Sequence, residues 1–328
     1  MNDGQDLPIR NIAEVIKRHD RFLVATHVRP DGDAMGSLLG MAFILRKLGK
    51  EADPYCQDPV PPAYEFLPGS DQIMPHLAKP HRYDAAILVD CGSYLRVGNS
   101  LADSIRSIST LVNIDHHVND APFGNPFWVT TSASSACEML YHLCAYLQLP
   151  LDADIAAQLY TGLLTDTGSF RFSNTSRSVL QIAAELVAAG AQPAYIAEQI
   201  YESASPEGVQ LLARMLATIA FAADNRLATA ELTQKMFKET ATSPVNSDGF
   251  INHLRSVKSV ELAMLFREDD NGKVHVSLRS KGDVDVATFA QRYDGGGHRR
   301  AAAFRVAGDL RKTRTEFTQQ ALNYLLGA

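Results

Sequence analysis

The chain has 328 residues, 31 Lys and Arg against 37 Asp and Glu, and a net charge of −6, which is enough for a large core and suggests two domains. That balance argues against nonspecific binding to long duplex nucleic acid, which needs an extended basic surface. No apolar run could span a bilayer, the polar start from Met1 to Asp6 lacks the features of a signal peptide, and the four cysteines form no CxxC pair, so a cytoplasmic protein with reduced thiols is expected.

Residues 9–19 read as a short amphipathic helix leading into Phe22-Leu23-Val24-Ala25, an apolar run of the kind buried on both faces of a parallel sheet. The run ends in His27-Val28-Arg29-Pro30-Asp31-Gly32-Asp33. Beyond it Met35, Leu38, Leu39, Ala42, Phe43 and Leu45 recur at near-helical spacing, up to Gly49. Pro, Asp and Gly favour turns for backbone reasons alone. Here, however, Gly32 lets Asp31 and Asp33 aim at different points, and carboxylates this close repel unless a cation lies between them.

A strand over 52–56 precedes a long connection over 58–80, rich in proline and polar residues, with room for one helical turn. Ala85-Ala86-Ile87-Leu88-Val89 is again a buried strand, ending in Asp90 with Gly92 close behind. After a segment containing Arg96, Leu111-Val112-Asn113-Ile114 runs straight into Asp115-His116-His117. Ligands bind at the carboxyl edge of parallel sheets, so three strands deliver imidazole and carboxylate groups to one edge. Helices are predicted over 132–147 and 153–164, the second closing on Thr165-Asp166-Thr167-Gly168, and another over 179–189. Residues 195–221 read as helix interrupted at Ser205-Pro206-Glu207-Gly208. Strands follow over 227–232, 260–266 and 274–278, with helices over 249–257 and 286–293. The expected fold is α/β: an N-terminal parallel-sheet domain with flanking helices over 1–192, a helical linker over 193–222, and a smaller mixed α/β C-terminal domain over 223–328.

His27, Asp31, Asp33, Asp90, His116 and Asp166 form an oxygen-rich ligand set with two imidazoles and no thiolate. It suits Mn²⁺, with Mg²⁺, Co²⁺ or Fe²⁺ as alternatives, and argues against structural zinc. Six ligands exceed one tetrahedral ion but suit two ions about 3.5–4 Å apart that share a carboxylate and activate water for attack on phosphorus. Four carboxylates balance two dications, so an anionic substrate needs other partners. His117, Arg279 and the basic stretch from Lys273 to Arg314 can supply them. Within that stretch, Asp294-Gly295-Gly296-Gly297-His298 exposes backbone N–H groups to a phosphate, and arginine forks match phosphate oxygens.

His27-x-x-Pro30-Asp31-Gly32-Asp33-Ala34, Asp90, Asp115-His116-His117, Thr165-Asp166-Thr167-Gly168 and Gly295-Gly296-Gly297-His298 occur in this order. Over nearly its whole length the chain thereby resembles the DHH phosphoesterases with a DHH-associated C-terminal domain. Its size makes it most similar to the nanoRNase (NrnA-type) branch, manganese-dependent enzymes that hydrolyse short oligoribonucleotides to mononucleotides and 3′-phosphoadenosine-5′-phosphate (pAp) to AMP. The resemblance implies His27, Asp31 and Asp90 on one Mn²⁺ and Asp33, Asp90, His116 and Asp166 on the other, with Asp90 bridging. It also implies that Asp115 orients the histidines and that His117 contacts the scissile phosphate or protonates the leaving oxygen. Arg279, Gly295, Gly296, Gly297 and His298 would grip the substrate's other phosphate or terminal nucleotide across an interdomain cleft. Ala303 stands where the family often has glycine in GGGH-x-x-AAG.

The implied partners are short single-stranded RNA, dinucleotides and pAp, with no long duplex and no membrane, and a homodimer is left open. Two further enzyme readings are a cyclic-di-AMP or linear dinucleotide phosphodiesterase and an inorganic pyrophosphatase, the latter disfavoured by the glycine-rich stretch. A nucleotide-sensing binding module is disfavoured by the intact acidic set, which is costly to keep without catalysis.

Overall fold

The computed structural model describes residues 6–77, 82–118, 121–269 and 271–327. The first five residues of the polar start, the end of the connection over 58–80, and Ala328 lie outside them. The chain divides into two compact units, Met1–Ser203 and Ala204–Ala328.

In the first unit, helix α1 (Asp6–Arg18) leads into strand β1 (Arg21–Ala25), followed by α2 (Gly32–Lys47), β2 (Glu51–Tyr55) and β3 (Ala85–Val89). Then come α3 (Asn99–Ile105), β4 (Thr110–Asp115), the short β5 (Phe127–Val129), α4 (Ala136–Tyr146), α5 (Ala153–Asp166), α6 (Arg177–Ala188) and α7 (Pro193–Tyr201). Among the described residues the strands form one sheet in the order β2-β1-β3-β4-β5, and every pairing is parallel. The central strands β1 and β3 carry unbroken apolar runs because both faces are covered. Phe22, Val24, Ile87 and Val89 pack with residues of α1, α2, α4 and α5, while Leu23, Ala25, Ala86 and Leu88 pack with Leu101 and Ile105 of α3.

Strand register sets the working edge. Ala25 pairs with Leu88 and Val89 with Ile114, so β1, β3 and β4 end level. The backbone N–H of Asp90 still donates to the Ile114 carbonyl at 3.0 Å. The residues after these strands therefore emerge side by side.

The predicted helix over 132–147 starts later, at Ala136, because the Ser135 hydroxyl accepts from the Glu138 N–H at 3.0 Å and caps the helix. Helices α2 and α5 meet through glycine. A Cβ on Gly36 would lie 2.4 Å from the Gln158 carbonyl oxygen, and one on Gly162 would lie 2.3 Å from Cys137 Sγ and 2.4 Å from Asp33 Oδ1. Gly162→Ala is therefore expected to destabilise the fold by about 1–3 kcal/mol through overpacking. An unchanged urea midpoint would show that the helices separate without cost.

The second unit contains α8 (Pro206–Leu216), β6 (Ala220–Ala222), β7 (Leu227–Leu232), α9 (Gln234–Glu239), α10 (Ile251–Ser256), β8 (Leu262–Glu268) and β9 (Lys273–Ser280). It continues with α11 (Val286–Gln291), β10 (Gly296–His298), β11 (Ala301–Ala307) and α12 (Leu310–Leu326). The sheet order is β10-β11-β9-β8-β7-β6, with β7 and β8 parallel and the other pairs antiparallel. One face packs on α11 and α12 and the other on α8 and α10.

The helical stretch over 195–221 is interrupted as expected, with the break before Pro206 separating α7 from α8, but its end differs, since Phe221 lies in strand β6. Ser205 caps α8 through the Gly208 N–H at 3.1 Å, and Pro206 takes the first helical turn, where its missing N–H costs nothing. The glycine-rich stretch also differs from a free loop, since Gly296–His298 pairs with β11 as an edge strand.

Candidate metal centre

The loop after β1 begins with His27, whose Nδ1 donates to the Val28 carbonyl at 2.9 Å. That bond directs Nε2 at Asp90 Oδ2, 3.4 Å away. Asp31 caps α2: its Oδ1 accepts from the Ala34 N–H at 3.1 Å. Asp33, in the first turn of α2, is fully buried, and both its oxygens are held by the N-terminus of α4. Oδ2 accepts from the Ala136 N–H at 2.6 Å and Oδ1 from the Cys137 N–H at 3.0 Å. These donors are among those a helix start leaves unsatisfied, and the helix dipole favours a negative charge there.

Asp90 occupies the end of β3 with φ 52, a left-handed conformation that Asp tolerates better than most residues. The Asp90 carboxylate is buried and central. One oxygen faces His27, and the other, Oδ1, lies 3.4 Å from His116 Nε2 and 3.5 Å from His117 Nδ1. His116 Nε2 also lies 3.2 Å from Asp166 Oδ2 and 3.6 Å from Asp33 Oδ2. The groups of metal-type atoms within 4.8 Å of one another include His27, Asp31 and Asp90, and Asp33, Asp90 and His116. Asp90 is common to both, and Asp166 joins the second through His116.

Asp115 is buried and pairs with His117 rather than His116. Its Oδ1 accepts from His117 Nδ1 at 2.8 Å, which turns the other ring nitrogen away from Asp115. Gly92 allows this approach, because a Cβ there would lie 3.3 Å from the His117 Cβ.

The electrostatics of this cluster fit a cation-binding site. Burial, then the neighbouring Asp90 and Asp166, push the Asp33 carboxyl well above its ordinary range. Burial likewise raises Asp166, against the opposing effect of His116. Burial also works to raise Asp90, but the facing rings of His116 and His27 overcome it and hold the carboxyl well below the usual range. In the two histidines burial favours the neutral form, yet their carboxylate partners win, Asp90 for His27 and chiefly Asp166 for His116, and both pKa values rise. Protons thus sit where dications would compensate the same charges, and the buried Asp90 Oδ1 accepts no hydrogen bond among the described residues. Because those protons must leave before the ring nitrogens can ligate, metal affinity is expected to fall as pH drops below the raised histidine values. Calorimetry in buffers of different ionisation enthalpy checks this, and binding without proton release at neutral pH would contradict it.

In the second unit, Arg279 of β9 and His298 of β10 are both in register with Ala301 of β11. They share one sheet face across a small residue, roughly 10 Å apart at the usual strand spacing. Arg279 Nη1 donates to the Leu278 carbonyl at 2.9 Å. The Gly295 N–H donates to the Ala290 carbonyl at 3.0 Å, and a Cβ on Gly295 would lie 2.4 Å from the Ala303 carbonyl oxygen. Gly297, at φ 138, would bring a Cβ within 2.4 Å of the Ala301 carbonyl oxygen. Glycine here is thus also a packing requirement of the β10–β11 pair.

Residues 21–163 match the model of the DHH family, N-terminal domain, and residues 225–326 match that of the DHHA1 domain. The chain is 34% identical over 301 residues to the bifunctional oligoribonuclease and PAP phosphatase NrnA of Thermus thermophilus, covering 92% of this chain and 89% of that protein. The chain belongs to the DHH family. It is therefore a phosphoesterase hydrolase, of a class that depends on metal. The Bacillus subtilis protein of the same name is 29% identical over 294 residues, with 88% of this chain and 90% of that one covered. A solved exopolyphosphatase-related protein from Bacteroides fragilis superposes with a TM-score of 0.89 at 25% identity, covering 98% of this chain and 97% of that one. Among the described residues no single helix is long and apolar enough to cross a membrane.

The imidazole and carboxylate side chains singled out from the sequence of the first unit lie together at this edge, but two supports were missed. One is the grip of α4 on Asp33. The other is the glycine contact between α2 and α5, whose available signal was Gly32, Gly36 and Gly40 at four-residue spacing within one helix.

Proposed function

We propose that this DHH-family hydrolase is a manganese-dependent phosphoesterase that degrades short oligoribonucleotides to mononucleotides and converts pAp to AMP. The observation that carries the reading is the placement of Asp90, whose two oxygens face separate ligand groups. The substrate class is supported by the relatives that align along most of the chain and are named for both activities. In this reading His27, Asp31 and Asp90 hold one Mn²⁺, and Asp33, Asp90, His116 and Asp166 hold the other, with Mg²⁺ or Co²⁺ as substitutes. When bound, a pair of dications supplies Lewis acidity, activating water and offsetting charge on the phosphoryl oxygens.

The chain's own groups do the rest. His117, kept in one tautomer by Asp115, presents Nε2 to the phosphate or the leaving oxygen and transfers a proton there. Arg279 and His298, with the Gly295–Gly297 backbone, bind a remote phosphate or the terminal nucleotide, so activity falls steeply beyond short oligomers.

The test is turnover of pAp, di- to pentaribonucleotides, cyclic-di-AMP and pyrophosphate after chelation and readdition of Mn²⁺, Mg²⁺ or Zn²⁺. Mn²⁺ is expected to restore activity best, with pAp and the shortest RNAs preferred; full activity after exhaustive chelation would refute the metal reading. Arg279→Ala and His298→Ala are each expected to raise the dinucleotide KM about ten- to a hundredfold, the cost of one charge-assisted phosphate contact. The kcat on a small aryl phosphodiester should change less, since remote binding does not touch the reacting centre. An unchanged dinucleotide KM would remove the second unit from substrate binding.

A further inference from the structure

Asp166 is the last residue of α5, a poor place for a metal ligand because helix ends fray. The segment beyond it counters fraying at some backbone cost. Gly168, Ser169 and Phe170 take φ values of 57, 60 and 60, and two successive non-glycine residues in the left-handed region carry strain. The buried Thr167 hydroxyl donates to the Leu163 carbonyl at 2.6 Å and accepts from the Phe170 N–H at 3.0 Å, which fixes the turn. The reversal brings Asn174 back to the helix end. Its Nδ2 donates to the Asp166 carbonyl at 3.1 Å and to the Ser134 carbonyl at 3.2 Å. Both acceptors are carbonyls, so only the NH₂ side of the amide can face them.

Ser134 immediately precedes Ser135, the cap of α4, and the first N–H groups of that helix hold the Asp33 carboxylate. One amide group thus ties the segment carrying Asp166 to the segment holding Asp33. Both carboxylates face His116 Nε2, at 3.2 and 3.6 Å. We propose that Asn174 is a positioning residue that fixes the separation of Asp33 and Asp166 and so sets affinity at the metal position they share with His116. In this role it acts through Asp33 and Asp166 and not on substrate or metal directly. The assignment rests on the ligand set proposed above and extends it to a residue outside that set.

The test uses the full chain, with Asn174→Ala removing the clip and Asn174→Asp turning a carboxylate toward two carbonyl oxygens. Calorimetric titration with Mn²⁺ is expected to show one of two ions bound about tenfold more weakly in the Ala variant, as for other groups that orient metal ligands, and more weakly still in the Asp variant. The melting temperature in EDTA should stay at the wild-type value for Ala, and saturating Mn²⁺ should restore its kcat. Unchanged Mn²⁺ affinity overturns the proposal. So does an affinity loss accompanied by a matching fall in the metal-free melting temperature, which marks a merely structural role. Asp166→Ala separates the two levels of inference. If it leaves Mn²⁺ binding intact, the ligand assignment itself fails; if it removes one ion while Asn174→Ala binds as wild type, only the role of Asn174 falls.

Discussion

Replacing Asp90 with Asn is expected to lower kcat/KM by about four orders of magnitude or more, on the order of 5.5 kcal/mol of transition-state stabilisation. Asn is the appropriate replacement because it too tolerates the left-handed backbone that Asp90 adopts at φ 52, so the loss reports on charge and not on a displaced strand end. Of the two groups assigned to the metals in the proposed reading, His27-Asp31-Asp90 and Asp33-Asp90-His116, Asp90 alone belongs to both. Asp31→Asn and Asp166→Asn should each weaken one ion, while Asp90→Asn weakens both. Calorimetry with Mn²⁺ distinguishes these cases, and retention of two ions at wild-type affinity in Asp90→Asn would rule out the bridge.

His117→Ala should act on chemistry without emptying the site. Its ring is held by Asp115 at 2.8 Å, and the two ligand groups are complete without it. The expected result is a kcat lowered about 10²–10⁴-fold, the usual range for loss of a general acid, with Mn²⁺ stoichiometry unchanged. If His117 protonates the leaving oxygen, the defect should shrink on a p-nitrophenyl ester, whose leaving group departs without a proton. An equal defect on both esters would instead assign His117 to holding the phosphate. Asp115→Asn should give a smaller loss in the same direction, because an amide oxygen still accepts from Nδ1 but no longer stabilises the charged ring.

The working edge was legible in the sequence for a local reason. A strand buried on both faces is a short unbroken apolar run, and the polar residues that end it mark its carboxyl terminus. Phe22 to Ala25, Ala85 to Val89 and Leu111 to Ile114 each announced the imidazole and carboxylate side chains that follow them. Elements without such contrast were missed. Strand β5 has three residues, β11 is rich in alanine, and α12 carries polar residues along much of its length.

The resemblance already implied how the acids are shared, but nothing in the residue pattern showed how they are held. Asp31 and Asp33 are two residues apart, yet one lies with His27 and the other with His116. The second position follows from the α4 N-terminus, 103 and 104 residues along the chain, donating two backbone N–H groups to Asp33. Backbone N–H groups are common to nearly every residue type, so their destination leaves no mark in composition or periodicity. Only the packing of α2 on α5 through glycine, and the sheet register that levels the strand ends, bring those donors and carboxylates together. Local pattern therefore determined which imidazole and carboxylate side chains end the strands, and non-local backbone geometry decided which of them lie together.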